Sequence, residues 1–181
     1  MKYIKAGGYL YFFVYILLCA IFFKERVAYI DSATQLFTMI NQEGFEIFVQ
    51  RYSSGLTQLF PLAFILLKAP LSVVMIAYSV SFAIIPLLCF YITVRYFKEP
   101  FIALIPVLFY VSASDTFAHA ISESVQLFSY ASLLAGFLLY AKKNKSLEIP
   151  SFSWLILLVL LLLNFFIHPI SLFLVLLIFM V

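Results

Sequence analysis

From Leu71 to Val94 the chain runs LSVVMIAYSVSFAIIPLLCFYITV without one charged residue. At ~1.5 Å per residue, such a run can cross the ~30 Å hydrocarbon core of a bilayer as a single helix. A soluble fold of 181 residues could not hide it, because 66% of the whole chain is hydrophobic and only 10% is charged. In lipid a helix satisfies its own backbone polar groups. The expected fold class is therefore all-α: a polytopic transmembrane helical bundle forming one domain over residues 1–181. The formal charge of +3 is small and no basic patch is interleaved with aromatics, so nucleic acid is not an expected partner.

The remaining runs order themselves around that span. Lys2 and Lys5 precede an apolar stretch from Gly7 to Phe23 that lacks a small-residue cleavage site, which marks an uncleaved signal anchor. Cys19 and Cys89 both lie in apolar runs and read as small interior or lipid-facing residues. Leu56 to Leu67 is apolar but short, holds Pro61 and is closed by Lys68-Ala69-Pro70, which suits a buried or re-entrant helix. Pro86 is a kink position, and Pro100 suits the first residue of a third helix running to Val111. A fourth helix is expected over 115–141, and a fifth from Ser151 to Ile167 with Trp154 as an interface anchor. His168-Pro169 is a turn, and the apolar run after it is shorter than a span. The chain is therefore expected to be the N-terminal part of a longer protein.

Basic residues set the expected orientation. If Leu56–Leu67 does not cross, Lys2, Lys5, Arg95, Lys98, Lys142, Lys143 and Lys145 are cytoplasmic, leaving Lys24, Arg26, Arg51 and Lys68 of the 11 outside. The N-terminus is then cytoplasmic, and residues 24–70 form a non-cytoplasmic loop of a plasma or inner membrane protein. Glu25, Asp31, Glu43, Glu46, Asp115 and Glu123 fall on the outer face with both histidines, His119 and His168. Almost every group able to do acid–base or metal chemistry converges there.

Within the loop, Asp31 opens a segment with Ala33, Leu36, Phe37 and Ile40 at amphipathic-helix spacing, and Ser32, Thr34, Gln35, Thr38 and Asn41 opposite. Such a helix lies in the interface plane, with Gly44 a suitable C-terminal stop. Asp31 has two roles open to it: an N-cap, or an ionised carboxylate serving as general base or metal ligand. Asp115, His119 and Glu123 recur every four residues, so on one helix they share a face and adjacent pairs could hold substrate or a divalent metal. The plainer alternative is a cap followed by interfacial polar residues. Lys24, Arg26, Arg51 and Lys68 either contact lipid headgroups or clamp a lipid-borne phosphate. His168 is either a turn residue or a substrate contact. No Walker loop, G-x-S-x-G, H-E-x-x-H or paired C-x-x-C occurs, so ATP hydrolysis, serine hydrolase and zincin chemistry have no support.

The order of these pieces resembles the GT-C superfamily of membrane glycosyltransferases. In that family a first span leads to a long outer loop with an acid near its start and interfacial helices, as in YIDSATQLFTMINQEGF. A proline-containing apolar segment follows, as in LTQLFPLAFILLKAP, then a span ending in basic residues, as in LLCFYITVRYFKEP. A short helix, an outer break and an acid-headed helix come next, and paired short helices resemble LLLLNFFIHPISLFLVLLIF. Where the family often has Asp-Glu, this chain has Asp31-Ser32. The resemblance implies an inverting transfer of sugar from a polyprenyl-phosphate donor to an acceptor on the outer face. It gives Asp31 the catalytic role, and with such a donor the phosphate-clamp reading of Lys24, Arg26, Arg51 and Lys68 places them on the donor phosphate. A transporter or flippase fragment, or a polysaccharide assembly subunit, is the rival expectation.

Overall fold

The computed structural model describes residues 2–112, 117–118, 123–144 and 152–180. Among them the chain is helical throughout, in the order α1 (Lys2–Ile21), α2 (Phe23–Val27), α3 (Ile30–Gln42), α4 (Gly55–Leu66), α5 (Leu71–Arg95), α6 (Pro100–Ser112), α7 (Glu123–Lys143), α8 (Phe152–Phe165) and α9 (Ser171–Met180). Three stretches, Tyr3–Ile21, Leu71–Arg95 and Val125–Lys143, are long and apolar enough to cross a membrane. The α4 helix has 12 residues, ends at Leu66 and is followed by a turn through Lys68 and Ala69 that leads into α5.

Helix α5, charge-free until Arg95 in its last turn, is the hub, packing against α1, α2, α4, α6 and α7. Its proline tests the bundle. Pro86 has no N–H to offer the carbonyl of Phe82 one turn back. Two buried hydroxyls of α5 donate to carbonyls of their own helix, Ser81 Oγ to Tyr78 O at 2.7 Å and Thr93 Oγ1 to Cys89 O at 2.9 Å. That leaves few polar atoms unpaired in an apolar setting, where an unsatisfied group is expensive. Glycine allows the closest crossings. A Cβ on Gly136 would stand 2.9 Å from Thr93 Cγ2, and one on Gly8 would clash with the edge of the buried Phe90 ring at Cζ and Cε2.

Three expectations change. The buried face of α3 is Ser32, Gln35, Leu36 and Met39, one residue out of phase with the face chosen by apolar spacing. Phe37 is 67% exposed and Ile30 78%, while Ala33 and Ile40 are half-buried. Polar anchoring explains the rotation: Tyr78 Oη donates to Gln35 Oε1 at 2.8 Å, and Gln35 Nε2 donates to Glu46 O at 3.3 Å. The helix also stops one residue early, with Glu43 rather than Gly44 in the left-handed conformation at φ 49°. Finally, Phe117 and Ala118 form a turn, so no continuous helix runs from 115 to 141, and Asp115 and His119 lie outside the described residues.

Candidate functional site

Between α3 and α4 the loop is held as firmly as a helix. Gln58 on α4 grips Glu46 at both backbone groups: Glu46 N donates to Gln58 Oε1 at 2.8 Å, and Gln58 Nε2 donates to Glu46 O at 2.7 Å. Two short 3-10 turns follow, Phe48–Gln50 and Tyr52–Ser54, with Arg51 at the joint. Ser53 N donates to Phe166 O at 3.2 Å, Tyr130 Oη donates to Ser53 O at 3.3 Å, and the Tyr52 and Phe166 rings meet edge to face at 5.5 Å. These contacts bind the loop to α7 and to the end of α8.

That arrangement delivers Arg51 to Glu123, the first residue of α7, where Nη1 and Oε2 form an ion pair. A carboxylate in a first helical turn is itself favoured by the helix dipole. His168, in the turn between α8 and α9, feels the Arg51 charge. Burial, reinforced by that cation, lowers its pKa from the ordinary value, so the ring favours its neutral form. Its Nδ1 accepts a hydrogen bond from Ile170 N at 3.2 Å. Three residues nominated from sequence, Arg51, Glu123 and His168, therefore gather at one place.

Beside them an apolar groove of about 450 Å³ opens between the loop, α4 and α8, lined by Phe45, Ile47, Leu59, Leu162 and Phe166 among others. Tyr52 and Ser53, which follow Arg51, also line it.

The other nominees behave differently. Arg26 is 1% exposed and committed inside the bundle. Its Nε donates to Ser79 Oγ at 2.8 Å and its Nη1 to Phe117 O. The guanidinium lies 5.0 Å from the Phe117 ring centroid and 5.7 Å from that of Tyr15. Counting cations by side treats Arg26 as a phosphate clamp; its geometry makes it a fastener between α2, α5 and the 117–118 turn. Lys24 and Lys68 are exposed, Lys24 lying over the Phe23 ring.

Asp31 is exposed in the first turn of α3, and the N-cap is Tyr29, with no side-chain capping bond. The cap alternative for Asp31 is thus set aside. Among the described residues Asp31 enters no ion pair, the two pairs formed being Arg51–Glu123 and Lys143–Glu99. Three His, Cys, Asp or Glu side chains nowhere converge as a metal site among the described residues.

Sequence reasoning passed over Gln58, Tyr78 and Gln126. Among the described residues, Gln126, 1% exposed, has neither side-chain amide atom hydrogen-bonded, and Asn164 Oδ1 is also buried without a partner. An amide inside an apolar run was the available signal. No protein family, curated protein or solved structure matches the chain.

Proposed function

We propose that the chain belongs to a membrane glycosyltransferase that moves a sugar from a polyprenyl-phosphate donor to an acceptor on the non-cytoplasmic face. The observation that carries this reading is the state of Asp31. Its carboxylate is exposed and unpaired among the described residues, on a helix that Gln35 and Tyr78 fix to the bundle. A general base needs both an open carboxylate and a rigid mount.

In the reaction, Asp31 accepts the proton of the acceptor hydroxyl. The acceptor oxygen forms a bond to the anomeric carbon as the bond from that carbon to the phosphate oxygen breaks. The electron pair leaves with polyprenyl phosphate, whose charge Arg51 and the exposed Lys24 and Lys68 stabilise. A single displacement inverts the configuration.

Labelled polyprenyl-phosphate sugars supplied to the complete protein test this. Asp31→Asn and Asp31→Ala should each lower transfer by about 10²-fold or more. Because Asp31 is not the cap, neither should cost more than ~1 kcal/mol of stability. Near-normal turnover by Asp31→Asn overturns the assignment.

A further inference from the structure

Arg51 is satisfied on one side only. A guanidinium carries five N–H donors in a planar fork. Here Nη1 meets Glu123, while Nε is buried and has no hydrogen-bond partner among the described residues. A buried donor left unpaired is costly, so the site is short of acceptor oxygen. Glu123 supplies some and cannot supply all.

The surroundings indicate what could complete it. The groove that begins at Tyr52 and Ser53 is lined almost wholly by aliphatic and aromatic side chains and opens along Leu59, Val159 and Leu162, of which Leu59 and Val159 are 49% and 46% exposed. A small aqueous anion gains nothing from such walls. An amphiphile gains from both parts, with its chain in the groove and its head on the guanidinium. Phosphate suits the head, because its oxygens match the fork of Arg in a bidentate way. Glu123 can withdraw without becoming stranded, since the start of α7 continues to favour its charge.

We propose that Glu123 is an exchangeable counter-ion for Arg51. It holds the guanidinium while the site is empty and yields it to the phosphate of a membrane amphiphile lying in the groove. This deepens the reading above and rests on it for the isoprenoid nature of the chain. It also makes Glu123 a competitor of the ligand, so that removing its charge strengthens binding.

The test uses the full chain in lipid nanodiscs and measures binding of a fluorescent isoprenyl monophosphate without turnover. Glu123→Gln should bind it about tenfold tighter and Arg51→Gln about tenfold weaker. Arg51→Lys, which keeps the charge and loses the fork, should fall between wild type and Arg51→Gln. The corresponding isoprenol should bind weakly, and millimolar inorganic phosphate should not compete. Unchanged or weaker binding by Glu123→Gln, with thermal stability lowered to the same degree as in Arg51→Gln, means a purely structural pair and overturns the proposal. Effective competition by inorganic phosphate overturns the amphiphile. Asp31 variants are expected to bind normally here, so failure of the transfer chemistry and failure of this site give different results.

Discussion

The hydroxyl of Tyr110 donates a 2.7 Å hydrogen bond to the carbonyl of Phe82, the acceptor that Pro86 leaves unserved four residues later in α5. A side chain on α6 thus completes the backbone of α5 at its proline. Both residues are buried, at 8% and 4% exposure, so water offers no replacement.

Tyr110→Phe should therefore destabilise the bundle by about 1–3 kcal/mol, measured by denaturant titration in detergent micelles. The companion variant Pro86→Ala restores an N–H for the same carbonyl. In that background Tyr110→Phe should cost clearly less. Equal costs in the two backgrounds would show that the hydroxyl does not serve the proline gap.

Arg26→Ala should destabilise by about 3 kcal/mol or more, since it removes a buried guanidinium and strands its acceptors around Ser79. Affinity for an isoprenyl phosphate, corrected for folded fraction, should be unchanged. A selective loss of affinity would return Arg26 to the list of phosphate ligands.

Gly8→Ala drives a methyl group against the edge of the Phe90 ring, which belongs to a packed aromatic group with Phe12 and Tyr9. Overpacking of this kind should cost about 1–3 kcal/mol, and Phe90→Leu in the same chain should recover part of it. Gly7, with nothing near its added Cβ, should accept Ala with no measurable thermal shift.

The lowered pKa of His168 fixes the sign of a pH effect. Between the unfolded value of about 6.5 and the lower folded value, the unfolded chain binds the proton more readily. Stability contributed by neutral His168 is thus present above pH ~6.5 and declines as pH falls through that window. Arg51→Gln removes the secondary cause and should move the His168 titration, followed by NMR, toward its ordinary value. A titration unmoved by that change would separate His168 from Arg51.

Orientation rests on the distribution of Lys and Arg and is open to direct measurement. Single cysteines at Gln42 and His168 should react with an impermeant thiol reagent added outside intact cells, in a background lacking Cys19 and Cys89. A cysteine at Asn144 should not. Labelling at Asn144 overturns the scheme.

Element lengths were legible because they depend on apolar runs bounded by charge or proline. The extents of α4, α5 and α6 follow those runs closely, whereas α1 begins at Lys2, ahead of the apolar run that opens at Gly7. The inner face of α3 was not legible, since apolar spacing favours Phe37 whereas the bundle needs Gln35 to meet Tyr78 and Glu46. Arg26 misled for a related reason: charge counting assumes a surface cation, and nothing local announces that Ser79, 53 residues away, will receive it. The Arg51–Glu123 pair joins residues 72 apart, a partnership that only tertiary packing creates. Both residues could be nominated from sequence; their meeting could not.

The double grip of Gln58 on Glu46 makes the intervening segment a ring of fixed circumference, closed 12 residues apart by two hydrogen bonds. Length changes that ordinary loops absorb cannot be absorbed here. One inserted residue between Phe48 and Gly55 must either open the ring or turn α4 about its axis by ~100°. The second course would carry Gln58, Pro61 and Ile65 off the side of α4 that now packs inward and bring Leu59 and Phe60 round toward it. Insertion scanning should therefore find this stretch as intolerant as the middle of a transmembrane helix, although it contains no regular structure longer than a single turn.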